Sequence, residues 1–135
     1  MKGFLLDTHV WLWFMLGDVK LTPKLRKLIN NSIEENTLWL ASISIWEIGM
    51  LANKNKITLA QPCLDWVQEA LAGLNLAELT PQVTIDSCHL PDDFHGDPAD
   101  RIIVATARNK NLSLITRDNN ILIYAKKHYL NAIKA

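Results

Sequence analysis

The stretch that most limits what this chain can fold into is His95 to Asp118, HGDPADRIIVATARNKNLSLITRD. Asp97 stands in a loop and Pro98 follows it; proline suits the first helical position, where its missing N–H leaves nothing unpaired. Asp100 falls in the first turn. Ile102, Ile103, Ala105, Thr106 and Ala107 then run to Asn109, a helix of small and apolar residues able to lie close on a sheet. Asn109-Lys110-Asn111 breaks the pattern. Leu112 to Thr116 is short, apolar and partly β-branched, which suits a buried parallel strand. Asp118 arrives as that strand ends. Acid, helix, strand, acid in this order brings both ends to one rim, and open α/β sheets place ligands at the carboxyl ends of their strands.

Asp97 reads equally well as a helix cap, with Asp100 three residues on as its capping-box partner. Capping alone does not account for Asp118, or for two acids met earlier. Asp7 ends the apolar run Phe4-Leu5-Leu6, and Glu47 follows shortly after Leu38-Trp39-Leu40-Ala41. Ser44 and Glu47 also have capping-box spacing, with Ser44 as the cap.

The remaining signals alternate between strand and helix. Val10 to Leu16 is wholly apolar, with Trp11, Trp13 and Phe14, and Gly17-Asp18 ends it. It reads as a core helix, or as a segment partly given to a protein–protein interface, where aromatic residues are enriched. Thr22-Pro23 opens a helix with Leu25, Leu28, Ile29, Ser32 and Ile33 on one stripe. Ile45, Ile48 and Ala52 face inward on the next, which leaves through Asn53 to Lys56. Pro62 begins another, with Leu64, Val67 and Leu71 as its stripe and Gly73 at its end. Leu76 to Leu79 is a weak third strand. Thr80-Pro81 repeats the cap-then-proline signal for a short helix to about His89. After Asp118, Ile121, Leu122 and Tyr124 suggest one more helix, and Tyr129 to Ile133 a small edge strand. The pattern predicts an α/β fold, a three-layer α/β/α domain with a mainly parallel central sheet, formed by residues 1–135 as one unit. A chain of 135 residues can bury roughly two-thirds of its unfolded surface.

Hydrophobic residues make up 49% and charged ones 21%, so the chain is not of a disordered class. Lys+Arg and Asp+Glu balance at 14 each, which argues against bulk electrostatic grip on nucleic acid but leaves room for a local basic rim. Cys63 and Cys88 form no CxxC pair and suit reduced thiols in a cytoplasmic setting. His9, His89, His95 and His128 have no zinc spacing. Asp7 interrupts the N-terminal apolar run too early for a signal segment, and no run approaches the ~20 residues of a membrane span.

Asp7, Glu47 and Asp118 each follow a strand, and Asp100 opens a helix between strands. With right-handed crossovers, parallel strands end at a common rim, so these four could converge. Converging carboxylates repel one another unless a cation joins them, and oxygen ligands without Cys or His call for Mg²⁺ or Mn²⁺. Such ions promote in-line attack on phosphodiesters. Other chemistries fit worse: the sequence has no GxGxxG, GxxxxGK[ST] or GxSxG, and Asp7-Thr8-His9 lacks the Asp-x-Asp of aspartyl-phosphate enzymes.

LLDTHVWLW at Leu5 to Trp13, SIWEIGML at Ser44 to Leu51, HGDPADRIIVATA at His95 to Ala107 and LITRD at Leu114 to Asp118 resemble the PIN-domain nucleases. More narrowly, the chain is similar to the VapC-type ribonuclease toxins of toxin–antitoxin pairs. The resemblance implies that Asp7, Glu47, Asp100 and Asp118 form a catalytic quartet holding Mg²⁺ or Mn²⁺. Asp97 matches an acid outside the quartet, and Thr116 a supporting hydroxyl. It also implies an RNA substrate, a homodimer and a cognate antitoxin that enters the active-site groove. Leu51 stands where some relatives carry a basic residue, which leaves RNA contact there to Lys54 or Lys56. Arg101 and Arg117, beside the acids in sequence, are further candidates, as are Arg108 and Lys110. Two other readings remain: a housekeeping or structure-specific nuclease acting in RNA maturation or on DNA, and a non-catalytic protein-interaction module on the same fold.

Overall fold

A computed structural model describes residues 3–135. Among the described residues, five strands and seven helices follow one another. The strands are β1 (Phe4–Leu6), β2 (Leu38–Ala41), β3 (Asn75–Ala77), β4 (Ser113–Thr116) and β5 (Ala132–Lys134). The helices are α1 (Thr8–Leu16), α2 (Pro23–Glu34), α3 (Ser42–Asn53), α4 (Cys63–Ala70), α5 (Pro81–Cys88), α6 (Pro98–Lys110) and α7 (Asn119–Lys126). The sheet order is β3-β2-β1-β4-β5 and every pairing is parallel. The sheet is therefore wholly rather than mainly parallel.

Strand side chains alternate between faces, and this alternation builds two cores. Leu6, Leu38, Leu40 and Ile115 join Val10, Trp11, Ile29, Ile48 and Trp66 on one side. Leu5, Ala41 and Leu114 join Val83, Ile103, Val104, Ile121 and Tyr124 on the other. Three layers follow, because the central strands β1, β2 and β4 bury apolar side chains on both faces and need a helix on each.

The helix starts are set locally. Thr22, Thr80, Asp97 and Asp118 cap α2, α5, α6 and α7, and each side chain accepts a backbone N–H in the first turn. Gly17 closes α1 at φ 66°, a left-handed conformation that glycine adopts without strain, and Asn111 closes α6 in the same region.

Some boundaries differ from the sequence reading. Helix α3 begins at Ser42 after Ala41, so Ser44 lies inside the helix and is not its cap. β2 ends at Ala41 and the chain turns at once, which moves the start forward. Strand β3 is earlier and shorter than Leu76 to Leu79, and the edge strand is confined to Ala132–Lys134. On α4 the buried residues are Trp66, Val67 and Ala70, whereas Leu64 is exposed. Trp66 lies 5.5 Å from Trp11 between ring centroids, and this aromatic pair turns the helix.

The aromatic run on α1 divides. Trp11 is fully buried in the core. Trp13 is half-buried beneath Lys20 and Arg117, and Phe14 beneath Arg26. The apolar side chains left exposed there are Met15, Leu16 and Val19. Cys63 and Cys88 are both free thiols. Among the described residues, no helix is long and apolar enough to cross a membrane.

Candidate active site

β1 lies at the centre of the sheet. The chain builds outward through β2 and β3, returns to the other side of β1 as β4, and continues to β5. The order thus reverses between β1 and β4, and the crevice beyond their carboxyl ends is the topological switch point, where open parallel sheets bind ligands. Asp7 follows β1 and Asp118 follows β4.

Asp7 is held there firmly. It is 8% exposed and caps α1. Its Oδ1 accepts the Thr8 backbone N–H at 2.8 Å, and its Oδ2 accepts the Thr116 hydroxyl at 2.6 Å. Burial raises its pKa above the usual aspartate value, against the lowering effect of both hydrogen bonds. Thr116 is fully buried, and its Oγ1 also accepts the Asp118 N–H at 3.0 Å. One hydroxyl therefore ties the two acids across the switch point. Asp118 Oδ1 in turn caps α7 by accepting the Ile121 N–H at 3.0 Å.

Glu47 reaches the same rim from the second turn of α3. The Thr8 hydroxyl donates to its Oε1 at 2.5 Å, and Ser44 Oγ lies 2.7 Å from Thr8 Oγ1. Burial, then repulsion from Asp7 and Asp97, raises the Glu47 pKa, while the Thr8 hydrogen bond opposes the rise. Thr8 and Ser44 were not foreseen as site residues. The S-x-x-E spacing that reads as a capping box also puts both side chains on one helix face, and the sequence does not distinguish the two.

Asp97 caps α6, accepting the Asp100 N–H at 2.8 Å, so its capping role is realised. Asp100 carries the largest perturbation at the rim. Its pKa is pushed up to about 7, first by burial and then by Asp97, Asp118, Asp7 and Glu47. The charges of the other four acids therefore reach this one carboxyl. Among the described residues, the ion pairs are Lys20–Asp18 and Lys127–Asp92, so none of the five rim acids has a basic partner. His9, next to Asp7, has a lowering effect on the pKa of Asp7 and Glu47 that is smaller than the effect of burial.

This donor set fits a hard divalent cation in kind and in charge: carboxylate oxygens, with no thiolate and no ion-paired basic side chain among the described residues. The side chains as they stand do not close on an ion, for among the described residues no three His, Cys, Asp or Glu form a ready cage.

The basic candidates are dispersed. Arg101 Nε donates to the Ser87 carbonyl at 2.9 Å and Nη1 to that of Phe94. Arg117 donates to the carbonyls of Ala135 at 2.8 Å and Lys20 at 2.7 Å, with its guanidinium 4.7 Å from the Trp13 ring centre. Both guanidinia serve as struts between segments of the fold. Arg108 and Lys110 lie at the opposite end of α6 from Asp100, roughly 12–15 Å along the axis at 1.5 Å per residue. Arg108 donates to the Tyr129 carbonyl, and Lys110 sits 4.6 Å from the Trp39 ring centre. The Lys54 and Lys56 side chains are exposed just past the end of α3, and among the described residues they make no hydrogen bond or ion pair.

Residues 4–127 match the PIN domain. The chain belongs to the PIN-domain family. It is 36% identical over 121 residues to ribonuclease VapC22 of Mycobacterium tuberculosis, which covers 90% of this chain and 91% of that protein. Solved structures share the fold. The chain aligns to one in DNA-bound VapBC from Salmonella typhimurium with TM-score 0.74 and 16% identity, covering 99% of this chain and 98% of that one. For VapBC2 from Rickettsia felis, bound to a promoter DNA fragment, the values are 0.72 and 16%, covering 98% of each chain. A toxin–antitoxin complex from Klebsiella pneumoniae gives 0.56 and 23%, covering 86% and 87%. In this PIN domain the acidic rim lies between β1 and β4, while a hollow of about 810 Å³ opens at the other end of the sheet, lined by Gly3, Trp39 and Lys110 and without an acid.

Proposed function

We propose that this PIN domain is a Mg²⁺- or Mn²⁺-dependent endoribonuclease, the VapC-like toxin of a toxin–antitoxin pair, acting in the cytoplasm as a homodimer. The observation that carries the reading is the unneutralised acidic cluster at the switch point, with Asp100 pushed up to about 7 by burial and four neighbouring carboxylates. Structural ion pairing does not explain it, since among the described residues no basic side chain forms an ion pair with these acids. The relationship to a ribonuclease over nine-tenths of the chain supports RNA as the substrate class. The VapBC assemblies among structures of the same fold support an antitoxin partner.

Asp7, Glu47, Asp100 and Asp118 would hold the metal. When bound, it would polarise the phosphodiester and make water a better nucleophile at neutral pH. The protein's own groups do the rest. Thr116 and the Thr8 N–H hold both Asp7 oxygens in place, and each oxygen keeps a further lone pair to offer. With its pKa raised to about 7, Asp100 is partly protonated near neutrality, and a bound cation would favour its charged form. Asp97 serves the helix and adds negative potential. Lys54 and Lys56 have side chains free to meet RNA phosphates, whereas Arg101 and Arg117 would do so only by giving up carbonyls.

The test is cleavage of single-stranded RNA by the purified, partner-free protein. EDTA should abolish cleavage and Mg²⁺ or Mn²⁺ should restore it. Cleavage that survives thorough chelation removes the metal from the reading. Cleavage of structured DNA in preference to RNA favours a housekeeping nuclease, and no cleavage of either favours an interaction module.

A further inference from the structure

Two of the rim acids are held by a single residue. The Thr8 N–H donates to Asp7 Oδ1, and the Thr8 hydroxyl donates to Glu47 Oε1. A threonine hydroxyl has one proton to give. Because the carboxylate takes it, Ser44 must be the donor in the 2.7 Å contact between the two hydroxyls. The order is Ser44 to Thr8 to Glu47. Thr8 is 1% exposed and Ser44 0%, so water cannot stand in for either hydroxyl.

Ser44 behaves unlike Ser32, Thr84, Ser87 and Thr106, which lie further along their helices. A helical Ser or Thr commonly bonds back to the carbonyl one turn earlier. Ser32, Thr84 and Thr106 do this, bonding to Leu28, Thr80 and Ile102. Ser44 is turned instead toward α1. Glu47 needs such a tether, because Asp7 and Asp97 repel it and its side chain has several rotamers in which to escape.

We propose that Thr8, backed by Ser44, is a positioning residue that fixes the Glu47 carboxylate beside Asp7 and so presets the spacing of the site. This rests on the metal-nuclease reading for its purpose, though not for its geometry. Residues that orient metal ligands typically change metal affinity by about 10–100-fold when removed.

Three variants test it: Thr8→Val, which keeps the shape and removes the hydroxyl; Thr8→Ser, which keeps the hydroxyl; and Ser44→Ala, which removes only the backing donor. The readouts are the Glu47 position in metal-free crystals, Mn²⁺ affinity by calorimetry, and kcat and KM for RNA cleavage. In Thr8→Val the Glu47 carboxylate should leave its position, Mn²⁺ affinity should fall about 10-fold or more, and kcat should fall with KM little changed. Thr8→Ser should restore all three. Ser44→Ala should show a smaller loss of Mn²⁺ affinity in the same direction, and it decides alone if Thr8→Val does not fold. A folded Thr8→Val protein with Glu47 in place and wild-type Mn²⁺ affinity overturns the proposal, as does a Ser44→Ala protein indistinguishable from wild type. If the wild type neither binds Mn²⁺ nor cleaves RNA, the functional reading fails, and the Glu47 position in Thr8→Val crystals still decides the role of Thr8.

Discussion

Replacing Asp100 by Asn should stabilise the metal-free protein, and by an amount that depends on pH. The folded-state pKa of Asp100 is raised from an ordinary 3.8 to about 7. Between these values the folded chain binds a proton that the unfolded chain has lost, so stability falls as pH rises from about 4 to 7 and is then level. At 1.36 kcal/mol per pH unit the full rise corresponds to about 4 kcal/mol. Asp100 is only half-buried, so solvent screening reduces this to about 1–2 kcal/mol. The proton is also shared among coupled acids, since Asp7 and Glu47 are raised as well. Asn removes the charge at nearly the same volume. For a chain of this length 1 kcal/mol is worth about 3–4 °C, so Asp100→Asn in EDTA should melt about 3–8 °C above wild type at pH 8 and equal to it near pH 4. Saturating Mn²⁺ should reverse the order. A ligand at 100 times its Kd adds about 2.7 kcal/mol to the form that binds it, and the variant would bind poorly. Calorimetric or circular-dichroism melts across pH, with EDTA and with Mn²⁺, provide the measurement. An Asp100→Asn protein that melts at or below wild type at pH 8 without metal, or a gap that ignores pH, refutes the reasoning.

The roles within DPAD should separate: Asp97→Asn keeps the cap and should retain most RNA cleavage, whereas Asp100→Asn should lose it while remaining folded, as a paired gel assay and melt would show. Inducing the wild-type protein alone should arrest growth and Asp7→Asn should not, and an antitoxin encoded nearby should rescue growth and co-purify, which plate counts and pull-down would record. Arg117→Ala should lower the melting point through about 1–2 kcal/mol of lost charged hydrogen bonds to the Ala135 and Lys20 carbonyls, and Arg117→Lys should not restore it, because the planar fork is what spans both.

What the sequence determined by itself is what short-range physics controls. Thr22-Pro23, Thr80-Pro81 and Asp97-Pro98 announced three helix starts, because a side-chain acceptor and a residue without an N–H solve the problem of the first turn on the spot. The apolar runs at Phe4–Leu6 and Leu112–Thr116, each soon followed by an acid, marked the two strands that flank the switch point, the second of which begins at Ser113. Tertiary structure decided whatever depends on partners far along the chain. Ser44 looked like a cap from its neighbours, yet β2 ends at Ala41, the helix starts at once, and the serine is left facing Thr8, 36 residues away. Arg101 and Arg117 looked free to hold phosphate, but their carbonyl partners were invisible, because loop backbone has no sequence signature. The hydroxyl of Thr116 reaches Asp7 across 109 residues, and Asp100 owes its raised pKa to burial and to charges on three other elements. Caps and strands are local and can be read from neighbours; proximity of charges and the burial that strengthens it exist only once the sheet has closed.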